Sequence, residues 1–500
     1  MINKYNQLLA FLFIIICVSC NKKEDKKLIS KEIISPEIVT SFDIPLTDSI
    51  YDVKQEYKDN VPVFPWTNGN IEKYDHFVLD KNGIPLFEYE GKLDYFPGSY
   101  IQVASTYYAS YKETKSEDSK NKFMNIANFC YNNLTEIKDF SVLNTKTLVN
   151  GYDLKSPWPS ALVNGFAISV MLQAYDITKD KKYLIASQKM VRAYNTTIEE
   201  GGVLSYWDKV PYYEEYADPK SHVLNGFMFS LAGLYYSYKV TGNLEAKALF
   251  YQGMGSLASK LREFDAGFTS NYNKLKVNTK EEVMETYASA LNEDPDHYLE
   301  LEIYQLLSLY NWTGQYFLRD YAHRFLKYDT GIVDGMYDKP KYESITASHT
   351  IDPVNYGIEH LNNELWSWGN YWSTDKVGTE IVVEFGKERQ NIEAVVFYAA
   401  GEDFMPDNFD VYVFQKEWVK VASSLQIRKT LSNSILADNG DKTNVKVYYL
   451  NKKQTGTALK VVFNNLGKNK AIALREFNIL FDRWEELEII RAALDKYTIN

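Results

Sequence analysis

Residues 211–233 read PYYEEYADPKSHVLNGFMFSLAG. The first half sets Tyr212, Tyr213 and Tyr216 around Glu214 and Glu215, and the second half runs apolar at helical spacing. A polar, aromatic turn directly ahead of an apolar helix has two readings. It is either a solvated turn with edge-packing tyrosines, or the mouth of a cleft, since loops at helix ends carry function. The helix that follows has an echo upstream: Leu224-Asn225-Gly226-Phe227-Met228-Phe229-Ser230 repeats Val163-Asn164-Gly165-Phe166-Ala167-Ile168-Ser169.

Working outward, four helical segments end in one pattern: Tyr111-x-x-Thr114, Tyr175-x-x-Thr178, Tyr238-x-x-Thr241 and Tyr310-x-x-Thr313, each followed by a polar turn and a second amphipathic segment. Spacings of 64, 63 and 72 residues are those of stacked helical hairpins. Tyr and Thr at these positions are expected to pack and cap the hairpin turns. Such hairpins build an α/α toroid, in which inner helices line a cleft and outer helices cover them. An open α-solenoid that binds protein is the rival arrangement. Apolar residues keep helical spacing between Tyr100 and Tyr328 and alternate at period two between Trp372 and Phe481, which puts a domain boundary near residues 330–345. Ile381, Val383 and Phe385 face one way and Val382 and Glu384 the other, as in a β-sandwich.

The chain has 500 residues, enough for several domains, and 45% hydrophobic residues, enough for sizeable cores. A net charge of −11 argues against nucleic acid and against electrostatic attraction to anionic polymers. Forty tyrosines supply flat apolar faces with polar tips, which suit sugars as well as cores. Lys4, an apolar run from Leu8 to Val18, and Ser19-Cys20 form a secretory signal over residues 1–20. The run is too short to span a bilayer. Its end resembles the lipobox of bacterial lipoproteins, with Cys17 where Leu is usual, so Cys20 is expected to carry lipid; the alternative is an ordinary cleaved signal in which Cys20 falls by chance. Residues 21–60 are expected to tether the body to a bacterial membrane. Cys130 then remains alone, and disulfides play no part.

The sequence shows no zinc-ligand spacing, no phosphate-cradling glycine loop and no nucleophile elbow. Of six histidines, His222 and His323 lie in helical segments and read as packed or solvated, and His297, beside Tyr298 ahead of a helix, stays a candidate. Tyrosine and glutamate remain as the candidate chemistry, with no metal expected.

The stretch EEYADPKSHVLNGFMFSLAGLYYSYKVTG resembles the signature of the D-glucuronyl C-5 epimerase family. SPWPSALVNGFAISVMLQAYDIT, KNGIPLFEYEGKLDYFPGSYIQVASTYYASY, LREFDAGFTSNYN and HYLELEIYQLLSLY resemble further segments of it, in register from about Asp80 to Tyr328. The resemblance places the family's three tyrosines on Tyr216, Tyr272 and Tyr298, its glutamate on Glu215 and its asparagine on Asn225. It implies inversion of carbon 5 of a uronic acid, which needs a proton removed beside a carboxylate and one returned on the opposite face. Tyr216 and Tyr298 would be the acid and base pair in either order, with Tyr272 and Glu215 positioning or polarising.

The chain also departs from the family. The arginine after the second tyrosine is missing, leaving Lys274 as the nearby cation; Pro295 replaces another arginine, and Leu299 and Glu302 replace two histidines. Lys274 and Glu302 are therefore added as substrate-binding candidates, and Arg192 or Lys209 as alternative partners for a carboxylate. Lys and Arg are not equivalent at such sites.

Downstream, Trp372-Ser373-Thr374, Phe385-Gly386 and Leu474-Arg475-Glu476-Phe477-x-Ile479 resemble the discoidin, or coagulation factor type C, carbohydrate-binding modules over about Thr346 to Phe481. Trp366, Trp368 and Trp372 are candidates for a sugar platform, with Trp372 expected in the core. No cofactor is expected, with a structural calcium in the sandwich as the alternative.

The fold expected is multidomain α + β: an α/α toroid over residues 61–335, a jelly-roll, galactose-binding-like β-sandwich over 346–482, and a last helix within 483–500 that packs back on the body. The function expected is that of an exported, lipid-anchored uronic-acid C-5 epimerase acting on a polysaccharide. A polysaccharide lyase, a glycan-binding lipoprotein with a degenerate site and a protein-binding solenoid are the alternatives.

Overall fold

The computed structural model describes residues 49–71, 77–89, 91–149, 151–274, 295–328, 342–363, 371–386, 389–436 and 442–499. Cys20, most of the expected tether, Trp366 and Trp368 lie outside the described residues.

Among the described residues, four helical hairpins occupy the first part: α1 (Pro97–Thr114) with α2 (Glu117–Asn132), α3 (Ala161–Thr178) with α4 (Lys181–Arg192), α5 (Leu224–Thr241) with α6 (Leu244–Lys260), and α7 (Pro295–Thr313) with α8 (Tyr316–Leu326). The first helices form a row, α1 on α3, α3 on α5 and α5 on α7. In that row α3 and α5 are buried on nearly every side, whereas α2 buries one stripe, Ser119, Phe123, Ile126, Ala127 and Cys130. A glycine pair lets α3 and α5 touch backbone to backbone. A Cβ on Gly233 would lie 2.4 Å from the Gly165 Cα.

The repeated Tyr-x-x-Thr is a helix-stop device. In all four copies the residue after the threonine, Lys115, Lys179, Gly242 or Gly314, takes a left-handed conformation, and its N–H donates to the tyrosine carbonyl at 2.7–2.8 Å. Each threonine hydroxyl donates to the carbonyl four residues back and accepts the N–H two residues on. This satisfies carbonyls and amides that a helix end leaves open. In three hairpins the second helix then starts on a capping side chain, Ser116, Asp180 or Asn243.

Among the described residues, one small antiparallel sheet precedes the first hairpin and two more lie in the connections between hairpins. They are β1 (Val78–Leu79), β2 (Pro85–Tyr89) and β3 (Lys92–Asp94); β4 (Leu134–Ile137), β5 (Phe140–Thr145) and β6 (Trp158–Pro159); and the hairpin β7 (Leu204–Trp207) and β8 (Val210–Tyr213). Residues 49–60, expected to belong to the tether, are packed instead. The Lys54 N–H donates to the Val240 carbonyl at 2.8 Å, and Val53 is buried.

The second part is a sandwich of two five-stranded antiparallel sheets. One runs β10 (Trp372–Thr374), β18 (Ile472–Phe481), β12 (Gln390–Ala399), β16 (Lys442–Gly456), β15 (Lys429–Leu436). The other runs β14 (Trp418–Ser423), β13 (Phe409–Phe414), β17 (Ala458–Phe463), β11 (Glu380–Glu384), β9 (Ser344–Ala347). Trp372 is fully buried in the sandwich core, and its Nε1 donates to Thr350 Oγ1 at 3.0 Å.

The expected period-two alternation fails in β12 and β18. Val395, Phe397 and Ala399 enter the sandwich core, while Ala394, Val396 and Tyr398 enter the core of the helical part. A strand buried on both faces reads as a continuous apolar run. The last helix, α9 (Trp484–Ala493), packs on α7 and α8. Its Trp484 ring stacks on His323 at 3.6 Å.

Candidate functional site

The turn between β8 and α5 holds two adjacent glutamates with opposite environments. Glu214 is fully buried and satisfied: it accepts from the Ser205 and Ser221 hydroxyls, from the His222 N–H at 2.9 Å and contacts His222 Nδ1 at 2.7 Å. His222 in turn stacks on Trp207 at 4.4 Å. Glu214 therefore fastens the turn, and its backbone ties the turn to the first residue of α3 through the Ala161 N–H at 2.9 Å.

Glu215 points the other way, over the first turn of α5. A Cβ on Gly226 would sit 2.0 Å from Glu215 Oε2, so only glycine leaves room for this carboxyl. Oε2 is sealed from solvent and has no hydrogen-bond partner. Burial pushes the carboxyl up to about 8, with the Tyr216 hydroxyl lowering it in part.

Tyr216 and Tyr272 meet hydroxyl to hydroxyl at 3.2 Å. The Tyr272 ring meets that of Tyr298 edge to face at 4.7 Å. The three tyrosines expected from sequence thus form one cluster with Tyr272 in the middle. Tyr272 is held from below, because its carbonyl accepts the Leu224 N–H at 3.0 Å. Burial, followed by the Glu215 charge, pushes all three hydroxyls above the ordinary tyrosine value; Glu302 adds to this at Tyr298. All three are therefore neutral phenols in the unliganded protein at neutral pH, and Glu215 is the member of the cluster that titrates nearest neutrality.

Glu302 lies one helical turn beyond Tyr298 on α7 and is fully buried. Burial raises its carboxyl well above the usual range, with Ser270 opposing in part. Asn225 is buried at the start of α5; its carbonyl accepts from Gln305 Nε2 at 3.1 Å, and its side-chain Oδ1 has no partner. Lys274 joins the site through its backbone, whose N–H donates to the Ser221 carbonyl at 3.4 Å. Burial lowers its ammonium and the Glu263 charge opposes this.

Neither alternative cation reaches the cluster. Arg192 pairs with Glu245 at 3.6 Å and Asp139 at 3.8 Å, and Lys209 is exposed at the tip of the β7–β8 hairpin. Among the described residues no group of three His, Cys, Asp or Glu side chains is placed to hold a metal. No helix among them is long and apolar enough to cross a membrane.

The structure adds residues that periodicity did not single out. Tyr152 stacks on Tyr216 at 4.0 Å and 16° and accepts at its hydroxyl from Asn273 Nδ2 at 2.9 Å. Trp158 lies 5.7 Å from the same ring. Tyr152 sits in an irregular loop with no pattern to mark it; Trp158 lies in the SPWPSA segment, where the resemblance was the only signal. Together they give Tyr216 an aromatic wall.

Residues 135–327 match the family described as D-glucuronyl C5-epimerase C-terminus. The match contains all three clustered tyrosines. An uncharacterized protein of Methanocaldococcus jannaschii is 30% identical over 168 residues, 33% of this chain and 50% of that protein. A D-glucuronyl C5-epimerase of Caenorhabditis elegans is 33% identical over 129 residues, 23% of this chain and 21% of that enzyme. The chain thus spans half or less of the length of these relatives. Solved structures similar to this chain include a carbohydrate-binding module of Clostridium perfringens in complex with GalNAc-β-1,3-galactose, 14% identical, covering 27% of this chain and 94% of that one at a TM-score of 0.21. A family 32 carbohydrate-binding module of Streptococcus pneumoniae EndoD is 15% identical, covering 28% and 97%, also at 0.21.

Proposed function

We propose that the chain is a uronic-acid C-5 epimerase acting on a glucuronate-containing polysaccharide. The observation that carries this reading is the contact of Tyr216 with Tyr272, and of Tyr272 with Tyr298, inside the segment that matches the epimerase family. In the reaction the C5–H bond breaks, its electron pair moves into the adjacent carboxylate, and the proton passes to one tyrosine oxygen. A second tyrosine then donates its proton to C5 from the opposite face. Tyr216 and Tyr298, at the two ends of the cluster, take these roles, and Tyr272 links them.

A tyrosine can act as base only once its proton has a destination. Glu215, with its carboxyl near 8, is the group beside the cluster best matched to exchange a proton at neutral pH. Tyr152 and Trp158 offer flat faces for the sugar. The row of four hairpins is read as part of an α/α toroid, and the sandwich as a carbohydrate-binding module that recruits the polymer.

The test is incubation with a panel of uronic-acid polysaccharides in heavy water, with the C5 hydrogen followed by NMR. Exchange without chain cleavage is expected; unsaturated chain ends instead would make the protein a lyase, which shares the same intermediate. Glycan binding with no exchange on any polymer would sink the enzyme reading. Tyr298→Phe is expected to abolish exchange while leaving the thermal midpoint within a few degrees; full activity in that variant would refute its role.

We also propose that Cys20 carries a lipid that holds the exported protein at a membrane. Cys20→Ala is expected to shift the protein from the membrane fraction to the soluble fraction of its bacterial host; an unchanged distribution would remove the anchor from the account.

A further inference from the structure

The segment that delivers Tyr272 begins where α6 ends, and it is fastened to the sandwich before it reaches the tyrosine. Gly267 takes a left-handed conformation, and a Cβ there would lie 2.6 Å from Leu431 Cδ1 on β15. Asn433, two residues along the same strand, donates from Nδ2 to the Ala266 carbonyl at 3.2 Å. Phe268 is buried with its ring edge to face against Tyr398 of β12 at 5.7 Å. The turn is closed on itself by the Ala266 N–H to the Thr269 carbonyl at 3.0 Å and the Asn271 N–H to the Phe264 carbonyl at 2.7 Å. Asp265 anchors its base, accepting from the Gly267 N–H at 2.8 Å and the Tyr328 hydroxyl at 2.9 Å and pairing with Arg324 of α8. Beyond the turn, Tyr272 and Lys274 are strapped to the start of α5 and to Ser221.

We propose that the β-sandwich is a structural part of the tyrosine site: Leu431, Asn433 and Tyr398 are positioning residues that seat the 265–271 turn and so set the Tyr216–Tyr272 contact. The face formed by β12, β15 and β16 is then a scaffold, already covered by the helical part through Ala394, Val396, Val445 and Val447. Glycan bound by the sandwich meets its other sheet or its loops. A site held by packed neighbours within a fraction of an ångström loses rate steeply when that support goes.

This inference rests on the proposed epimerase reading for its kinetic test, and a second readout keeps it separate. In the full chain, Leu431→Ala with Asn433→Ala is expected to lower kcat for C5 exchange by about 100-fold, the effect of a displacement near 1 Å, while KM changes little. Leu431→Met is expected to restore most of the rate, since it refills the contact. Ile489→Ala, at an exposed position of α9, serves as the control and is expected to leave the rate unchanged. Should the double variant fail to fold, Asn433→Ala alone removes the bond to Ala266 and leaves Leu431 in place, and it is expected to lower kcat in the same direction.

The second readout needs no substrate. Ring-labelled tyrosine NMR, with the Tyr272 signals assigned through Tyr272→Phe, is expected to show those signals shifted in the Leu431 and Asn433 variants and unmoved in Ile489→Ala. Unshifted Tyr272 signals, or kcat equal to wild type, would overturn the proposal. If wild type exchanges no uronate polymer, the epimerase reading fails and the Tyr272 signals alone decide this one.

Discussion

Glu214 and Glu215 are chemically identical neighbours, and the sequence treats them alike. The fold separates them: Glu214 is consumed by Ser205, Ser221 and His222, whereas Glu215 lies over Gly226 with an unpartnered oxygen. That separation makes Gly226 a residue of the site although it has no side chain. Gly226→Ala places a methyl where the carboxyl now lies, and it is expected to destabilise the protein by about 1–3 kcal/mol, as overpacking does. It is also expected to remove most exchange activity, because Glu215 must leave the tyrosines. Thermal melts and the heavy-water assay on the same preparation check both; a variant as stable and as active as wild type would show that the carboxyl does not work from this position. Asn225, assigned by resemblance, is buried with an unpartnered Oδ1, and burial lowers the Lys274 ammonium. Direction of a side chain is a tertiary fact that residue type does not carry.

At the scale of elements, the four Tyr-x-x-Thr stops were readable because helix ends are satisfied locally, within four residues of chain. The joint between α8, α9 and the sandwich was not readable, since its partners are far apart in sequence. There His323 of α8 is buried against Trp484 and contacts Asp482 at 3.1 Å. The groups facing it are Asp482, Glu393 and Lys327. Burial first, then the Lys327 charge, push the imidazole down to about 4, against Asp482 and Glu393. A histidine lowered in the folded state contributes stability above its unfolded value, ~6.5, and that contribution is lost as pH falls toward 4. The thermal midpoint is therefore expected to fall on acidification from about pH 6.5 to pH 4, and His323→Gln is expected to flatten that slope. Parallel profiles for the two proteins would show that His323 is not the group being titrated.

For the whole molecule, the sequence was enough to divide the chain into a helical and a strand part, because apolar period reports which faces of an element are buried. It misjudged β12 and β18, where both faces are buried: an apolar run shows that a strand is covered and does not show by what. It also extended the tether over residues 49–60, whose irregular chain is held on the helices by one backbone bond to Val240 and by bonds with the Gln188 and Lys179 side chains, which no periodic pattern announces. The family resemblance located Tyr216, Tyr272 and Tyr298 in the chain, and the structure brought them to one place. Local physics, meaning helix stops, glycine pairs and apolar period, was thus written in the order of residues. Convergence of three distant tyrosines, the opposite fates of two adjacent glutamates and the seating of the Tyr272 turn on the sandwich depend on contacts between residues far apart in the chain, and only the packed fold decides those.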